Sequence, residues 1–104
     1  MPDPAEQLQR IYLAGFQLET FDRFPKAIGV VRDNVVALLE ATPEGLRIIG
    51  APGWRMGEAM GVLVEQEGRQ VFQYKSEVVE ATPERLEALQ TVREQLDELL
   101  APTA

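Results

Sequence analysis

The heptapeptide Glu-Ala-Thr-Pro-Glu-x-Leu occurs twice in the chain, at 40–46 and 80–86, and its variable position predicts opposite structures for the two copies. In the first copy this residue is Gly45, which accepts the left-handed backbone that closes a hairpin, so a turn is predicted there. In the second copy it is Arg85, and Thr82 is predicted to cap a helix that begins at the next residue. The two copies do not extend into a longer repeat, so we interpret them as a short turn-forming motif that occurs twice and not as a duplicated domain.

Apolar residues with helical spacing occur at both ends of the chain. Residues 4 to about 19 are predicted to form the first helix, which Pro25 prevents from continuing through the aromatic segment before it. The apolar positions of this helix are Leu8, Ile11, Tyr12, Gly15 and Phe16. The second helix is predicted from Pro83 to about Leu100, followed by a frayed tail over 101–104.

Between the helices, short apolar runs separated by turn residues predict an antiparallel meander of about five strands. The predicted strands are 27–32, 35–41, 46–50, 59–65 and 69–75. The hairpin turns are predicted at 33–34, 42–45 and 66–68. The sequence therefore predicts one compact α+β domain over residues 1–104, in which an N-terminal and a C-terminal helix pack on the sheet.

The first three predicted strands are apolar on both faces, whereas a sheet with one face in water shows alternation of apolar and polar residues. Val30 and Leu39 fall on one face, and Val31, Val36 and Leu38 fall on the other. Two helices cover roughly one face of such a small sheet. Either a second copy of the chain covers the other face, which predicts a homodimer, or the sheet curls strongly and closes on itself.

The composition argues against several classes of function. The chain contains no Cys and no His, which removes thiolate nucleophiles, the commonest general base and the commonest transition-metal ligand. A formal net charge of −7 repels phosphate backbones and argues against nucleic-acid binding. The sequence contains no apolar stretch of membrane-spanning length, and its start does not resemble a secretory signal, so the expected location is cytoplasmic.

The chain contains few side chains that could act in catalysis. Ser76 is the only serine and has no His to activate it, and its neighbour Lys75 is expected on the opposite face of a strand. A carboxylate pair such as Glu58 and Glu65 has the chemistry to hold Mg²⁺, but no liganding motif surrounds these residues. We therefore predict no catalytic residue, no metal ligand and no cofactor, and an enzyme is the less favoured interpretation.

The segment 50–61 is the candidate binding site, because it contains the only Trp and four of the eight Gly residues. A glycine-rich loop that carries Trp54 and Arg55 is predicted to line a pocket or anchor an interface, since these residue types dominate binding hot spots. The alternative is that Trp54 fills one end of the core while the glycines make turns. Arg47 and Tyr74 complete the candidate set, Arg47 either in an anion pocket or as a solvated arginine.

In the order of its predicted elements the chain is similar to the secretion-chaperone-like fold, with a helix, three strands, a linker, two strands and a helix. The similarity covers nearly the whole chain in element order and does not extend to diagnostic residues. Where that family has a helix that builds much of the dimer interface, this chain has 51–58, which is interrupted by Pro and Gly. The resemblance implies a small acidic homodimer that binds extended segments of client proteins.

These observations predict a non-catalytic, acidic, homodimeric adaptor or chaperone-like module. It is expected to bind another polypeptide through the second face of the sheet and the 50–61 loop. The alternatives are a small-molecule-binding protein or minor enzyme with a pocket at Trp54 and Arg55, and a structural subunit of a larger assembly.

Overall fold

The computed structural model describes residues 3–21 and 24–101, in which seven strands lie between two helices. The elements are α1 (Pro4–Leu13), β1 (Gln17–Phe21), β2 (Phe24–Arg32), β3 (Val35–Thr42), β4 (Gly45–Met56), β5 (Ala59–Gln66), β6 (Arg69–Tyr74), β7 (Glu77–Glu80) and α2 (Pro83–Leu100). The strands pair antiparallel in chain order. The predicted α+β class is confirmed, but the sheet has seven strands and not about five. Of the predicted frayed tail, 102–104 lies outside the described residues.

The first helix is shorter than predicted because Gly15 ends it. This glycine has a φ of 101°, a left-handed conformation that terminates helices. Its N–H donates to the Tyr12 carbonyl at 3.1 Å, and the Phe16 N–H donates to the Ile11 carbonyl at 3.3 Å. Phe16 then packs with Ile11 in the core, so the chain leaves the helix and enters β1.

The two copies of the repeated heptapeptide adopt the two predicted structures. Gly45 has a φ of 112° and closes the β3–β4 hairpin opposite Thr42, whose hydroxyl donates to the Gly45 carbonyl at 2.6 Å. Thr82 caps α2, and its hydroxyl oxygen accepts a hydrogen bond from the Arg85 N–H at 3.3 Å. Pro83 is the first residue of α2, as predicted.

Of the other two predicted hairpin turns, the one at 33–34 agrees with the prediction and the one at 66–68 differs from it. Asp33 and Asn34 both have positive φ, 51° and 66°, as a two-residue hairpin turn requires. The turn predicted over 66–68 has two residues and not three, because Gln66 still pairs with Arg69 in the β5–β6 ladder.

β4 runs through the segment that was predicted to be a loop. Its second half pairs again with β3, with Gly53 opposite Val36 and Trp54 opposite Val35. Pro52 falls at the register shift between the two paired stretches, where a residue without an N–H costs no ladder hydrogen bond. No linker therefore separates the third and fourth predicted strands, and the element order that suggested the secretion-chaperone-like fold is not observed.

Both helices pack on one face of the sheet. The main core contains residues from both helices and from four strands, β2, β3, β4 and β6, together with one residue just before β1 and one just after β7. Its buried members are Ile11, Phe16, Val30, Val35, Ala37, Leu39, Leu46, Met56, Phe72, Ala81, Leu89, Val92 and Leu96, with partly buried neighbours such as Leu63 around them. Gln7 of α1 is buried beside it and accepts a hydrogen bond from the Leu46 N–H at 2.8 Å, which fixes α1 against the start of β4. Neither helix in the described part of the chain combines the length and apolar composition that crossing a membrane requires.

The opposite face of β2 and β3, which we call the inner face, is buried within a single chain. It carries Val31, Val36 and Leu38, and the Val36 side chain is 0% exposed. These residues cluster with Phe21 of β1 and Met60 of β5, although β1 and β5 are not neighbours in the sheet. The sheet therefore curls over its inner face, and the uncovered face on which the predicted homodimer rested is absent from these strands.

Two glycines give the curled sheet room for the side chains that fill it. A Cβ on Gly29 would lie 2.5 Å from the Phe21 ring, and a Cβ on Gly53 would lie 2.9 Å from the terminal methyl of Met60. Phe21 and Met60 thus occupy the space above glycine backbone.

Candidate functional site

A cavity of about 440 Å³ lies between the ends of β1 and β2, the β4–β5 hairpin and the β6–β7 hairpin. We call it the hairpin-end cavity. Its apolar walls are formed by Phe21, Phe24, Met56, Met60 and Tyr74, and its polar lining by Glu58, Lys75, Ser76 and Glu77. An apolar interior with a few charged groups around it is the usual composition of a ligand-binding pocket.

The two methionines reach the cavity from opposite faces of the sheet. Met56 ends β4, and Met60 is the second residue of β5, with a two-residue turn between the strands. Met56 packs over Gly61, where a Cβ would lie 2.3 Å from its sulfur, and Met60 packs over Gly53. Because flexible thioether side chains adjust to irregular shapes, these walls suit apolar groups of varied form.

Lys75 and Ser76 form the β6–β7 turn, and Lys75 is not the end of a strand as predicted. Lys75 has a φ of 55°, the positive value that the first residue of a two-residue hairpin turn requires. Its ammonium nitrogen lies 5.4 Å from the centre of the Tyr74 ring, within the range of a cation–π contact. A positive charge is thereby held beside the aromatic wall of the cavity.

Trp54 lies on the helix side of the sheet and does not line the hairpin-end cavity. Its ring stacks on Phe72 with a centroid distance of 5.7 Å, and the Arg85 guanidinium carbon lies 5.5 Å from its centroid. Its contacts are therefore those of a half-buried residue of the main core.

Arg55 points to the inner face, because adjacent strand residues alternate between faces. Its Nη2 donates to Glu19 Oε1 at 2.8 Å, and its Nε donates to the Gly57 carbonyl at 3.0 Å. The other oxygen, Glu19 Oε2, is buried and has no hydrogen-bond partner among the described residues. Arg55 thus links β4 to β1 across the curl, and it shares no surface with Trp54.

The remaining two predicted residues lie far apart along the meander. Arg47 is solvent-exposed near the start of β4, where it forms an ion pair with Glu40 of β3, and such exposed pairs contribute little to stability. Tyr74 lines the hairpin-end cavity, and it is the one member of the predicted set that does. The structure does not bring Arg47, Trp54, Arg55 and Tyr74 together into one site.

Sequence reasoning missed the residues that form most of the cavity wall. Phe21 and Phe24 lie in the aromatic segment between the first predicted helix and the first predicted strand. Met56 lies in the predicted loop 50–61, and Met60 lies where that loop meets the fourth predicted strand. The signal available in the sequence was that large apolar residues, Phe21, Phe24, Met56 and Met60, stand beside residues typical of turns, such as Pro25 and Gly57.

Within 3–21 and 24–101, no group of three or more His, Cys, Asp or Glu side chains is placed to hold a metal ion. Comparison of the chain with protein-family models, with curated proteins and with solved structures finds no match. The function is therefore inferred from the geometry of the cavity and of the strands around it.

Proposed function

We propose that the protein is a non-catalytic adaptor or chaperone-like module that binds an apolar segment of another polypeptide in the hairpin-end cavity. The observation that carries the proposal is the cavity itself, with two phenylalanines, two methionines and a tyrosine around about 440 Å³. This volume lies within the roughly 300–1,000 Å³ of typical ligand pockets. It is large enough for one bulky apolar side chain together with part of the neighbouring main chain.

The polar groups of the cavity support binding better than catalysis. Ser76 is the only serine in the chain, and a serine needs a neighbouring base to activate it as a nucleophile. Lys75, the nearest basic side chain in sequence, is placed over the Tyr74 ring. Glu58, Lys75 and Glu77 give the cavity lining two negative charges and one positive charge, a balance that suits recognition of a partner with basic flanking residues.

A small apolar molecule is the second candidate ligand, and the size of the cavity is the observation that favours it. The cavity adjoins the turn that follows Trp54 and Arg55, close to the pocket position expected from the sequence. A thermal-shift screen against small apolar compounds discriminates between the two ligands. If a compound raises the melting temperature and no peptide binds the protein, the small-molecule alternative is favoured.

Replacing Ala59 by Trp tests the cavity directly. Ala59 lines the cavity and pairs with Met56 across the hairpin, so a large ring at this position fills the space without removing an existing contact. We expect peptides selected on the wild-type chain from a random display library to bind Ala59→Trp at least about tenfold more weakly, measured by calorimetry. Ala51→Trp is the matched control, because Ala51 is an exposed residue of β4 outside the cavity. Equal affinity of wild type and Ala59→Trp would contradict the proposal.

Homodimerisation stays a prediction, and the structure changes the surface that it would use. Val62 and Val78 are exposed on the same face of the sheet, on either side of Gln73. If two copies associate there, light scattering should give twice 11.6 kDa, and Val62→Lys with Val78→Lys should give 11.6 kDa. A mass of 11.6 kDa for the wild type at every concentration would remove the dimer from the proposal.

The net charge of −7 bears on the chemistry of the partner. It makes nucleic acid an unfavourable partner and favours a polypeptide whose contacting surface is neutral or basic. A cytoplasmic location stays a prediction from the sequence.

A further inference from the structure

The sheet has two edge strands, β1 and β7, and the outer edge of β7 is partly covered. Tyr74 and Glu77 flank a two-residue turn and pair with each other, so the backbone groups of Val78 and Glu80 point away from β6. The Glu80 carbonyl accepts a hydrogen bond from Arg85 Nη1 at 2.6 Å. The first turn of α2 therefore occupies part of this edge and leaves Val78 as its one fully available residue.

The outer edge of β1 is open at its centre. Arg32 and Val35 flank the two-residue β2–β3 turn and pair with each other, so the backbone groups of Val31 and Gly29 point to β1. These two residues pair with Gln17 and Glu19, and the N–H and C=O of Leu18 between them consequently point away from the sheet. No strand in the described part of the chain pairs with this side of β1.

The open edge of β1 leads to the hairpin-end cavity. Leu18 is 45% exposed at the centre of the edge, and Phe21 at the end of the same strand lines the cavity. The two residues are three positions apart, which corresponds to roughly 10 Å of extended chain. A strand laid along β1 would thus pair with the backbone of Leu18 and reach the cavity with a side chain a few residues further on.

We infer that the outer edge of β1 is the docking strand for the partner, which adds to the sheet as an extended segment and places one apolar residue in the hairpin-end cavity. This inference rests on the proposed function and specifies how the polypeptide is held. An unpaired amide and carbonyl on a strand edge are complementary to another main chain, and adjacent pockets supply side-chain specificity in this mode of recognition.

A second copy of the chain is a less suitable occupant of this edge. In antiparallel pairing of two copies centred on Leu18, the residues of the second copy that run towards the cavity are Gln17, Phe16 and Gly15. Phe16 is buried in the core of its own chain, and Gly15 lies outside β1 and has no side chain to place in the cavity. The open edge and the cavity would then serve separate purposes. A different polypeptide that pairs with β1 and carries an apolar residue towards the hairpin-end cavity occupies both the edge and the cavity.

The test is a selection of random displayed peptides on the full wild-type chain and on three variants. Leu18→Pro removes the outward N–H, whereas Leu18→Ala removes the side chain and keeps the N–H. Val78→Pro is the matched control, because it removes the outward N–H of the other edge. We expect peptides enriched on the wild type to bind Leu18→Pro at least about tenfold more weakly, and to bind Val78→Pro and Leu18→Ala within a few-fold of the wild type.

Each outcome decides a different point. Enrichment on the wild type with equal binding to Leu18→Pro overturns the docking strand and leaves the proposed function intact. An equal loss with Leu18→Ala and Leu18→Pro also overturns it, because the side chain and not the edge would then carry the affinity. No enrichment on the wild type overturns the proposed function and the inference with it.

Two further measurements keep the test decisive. If Leu18→Pro does not fold, amide hydrogen exchange of the wild type with a selected peptide replaces it: slower exchange at Leu18 but not at Val78 supports the inference, and the reverse contradicts it. If the wild type is a dimer by light scattering and Leu18→Pro is a monomer, the edge binds a second copy, and the proposed occupant is wrong.

Discussion

Phe72→Ala is expected to lower the free energy of unfolding by about 3–5 kcal/mol, the usual cost of removing a fully buried aromatic side chain. Phe72 is 0% exposed at the centre of β6 and belongs to the main core beneath the helices. Its ring stacks on Trp54 of β4, and its Cβ lies 3.3 Å from the position of a Cβ on Gly61 of β5. Removal of this ring therefore deletes the stacking contact between β6 and β4 and leaves a cavity in the main core.

Urea unfolding at equilibrium measures this cost, and the single Trp makes the result specific. Because Trp54 stacks on Phe72, its fluorescence in the folded state should also shift in Phe72→Ala. Phe72→Leu is the matched control, since it keeps most of the buried volume and should cost roughly 1–1.5 kcal/mol. A loss below about 1 kcal/mol for Phe72→Ala would mean that the site collapses around the missing ring or that β6 contributes little to the core.

The fold was predicted best where local chemistry alone decides the structure. The capping of α2 by Thr82 and the hairpin at Gly45 depend on a few neighbouring residues, and both predictions are confirmed. The first helix was predicted too long, because Phe16 continues the helical spacing while Gly15 before it ends the helix. The apolar spacing predicted a continued helix, whereas the left-handed backbone at Gly15 ends it.

The two additional strands were missed because tertiary contacts define them. β1 has only five residues, and its buried aromatic, Phe21, faces the inner face of a curl that no local pattern reveals. β7 has four residues and lies between a turn and a helix cap. Without these strands, the inner face appeared to need a second chain.

Arg47, Trp54, Arg55 and Tyr74 do not meet in one site, because the glycine-rich segment 50–61 forms strands and a turn and not the loop that the sequence predicts. In the structure two of its glycines, Gly53 and Gly61, lie in paired strands, where they make room for methionine side chains and for close approach of backbone. A single sequence does not distinguish a glycine that provides flexibility from one that provides space. Whether a glycine provides flexibility or space depends on whether a side chain of a neighbouring strand packs over it.

Gly53→Ala tests the second role and should lower the free energy of unfolding by about 1–3 kcal/mol, as overpacking of a filled site does. A Cβ at this position would lie 2.3 Å from the Gly61 carbonyl oxygen, which is backbone and cannot rotate away. It would also lie 2.9 Å from the terminal methyl of Met60. Relief of the first contact requires β4 and β5 to separate, and relief of the second requires Met60 to move from its place over Gly53.

The same displacement should reach the hairpin-end cavity, because Met60 is part of its wall. We therefore expect Gly53→Ala to weaken binding of selected peptides as well as to lower stability, the latter measured by urea unfolding. Ala51→Val is the control, since it enlarges an exposed side chain two residues away on β4 and should leave both quantities nearly unchanged. If Gly53→Ala is as stable as the wild type to within about 0.5 kcal/mol, the segment behaves as the flexible loop expected from the sequence, and the methionine wall of the cavity is not fixed by the glycine beneath it.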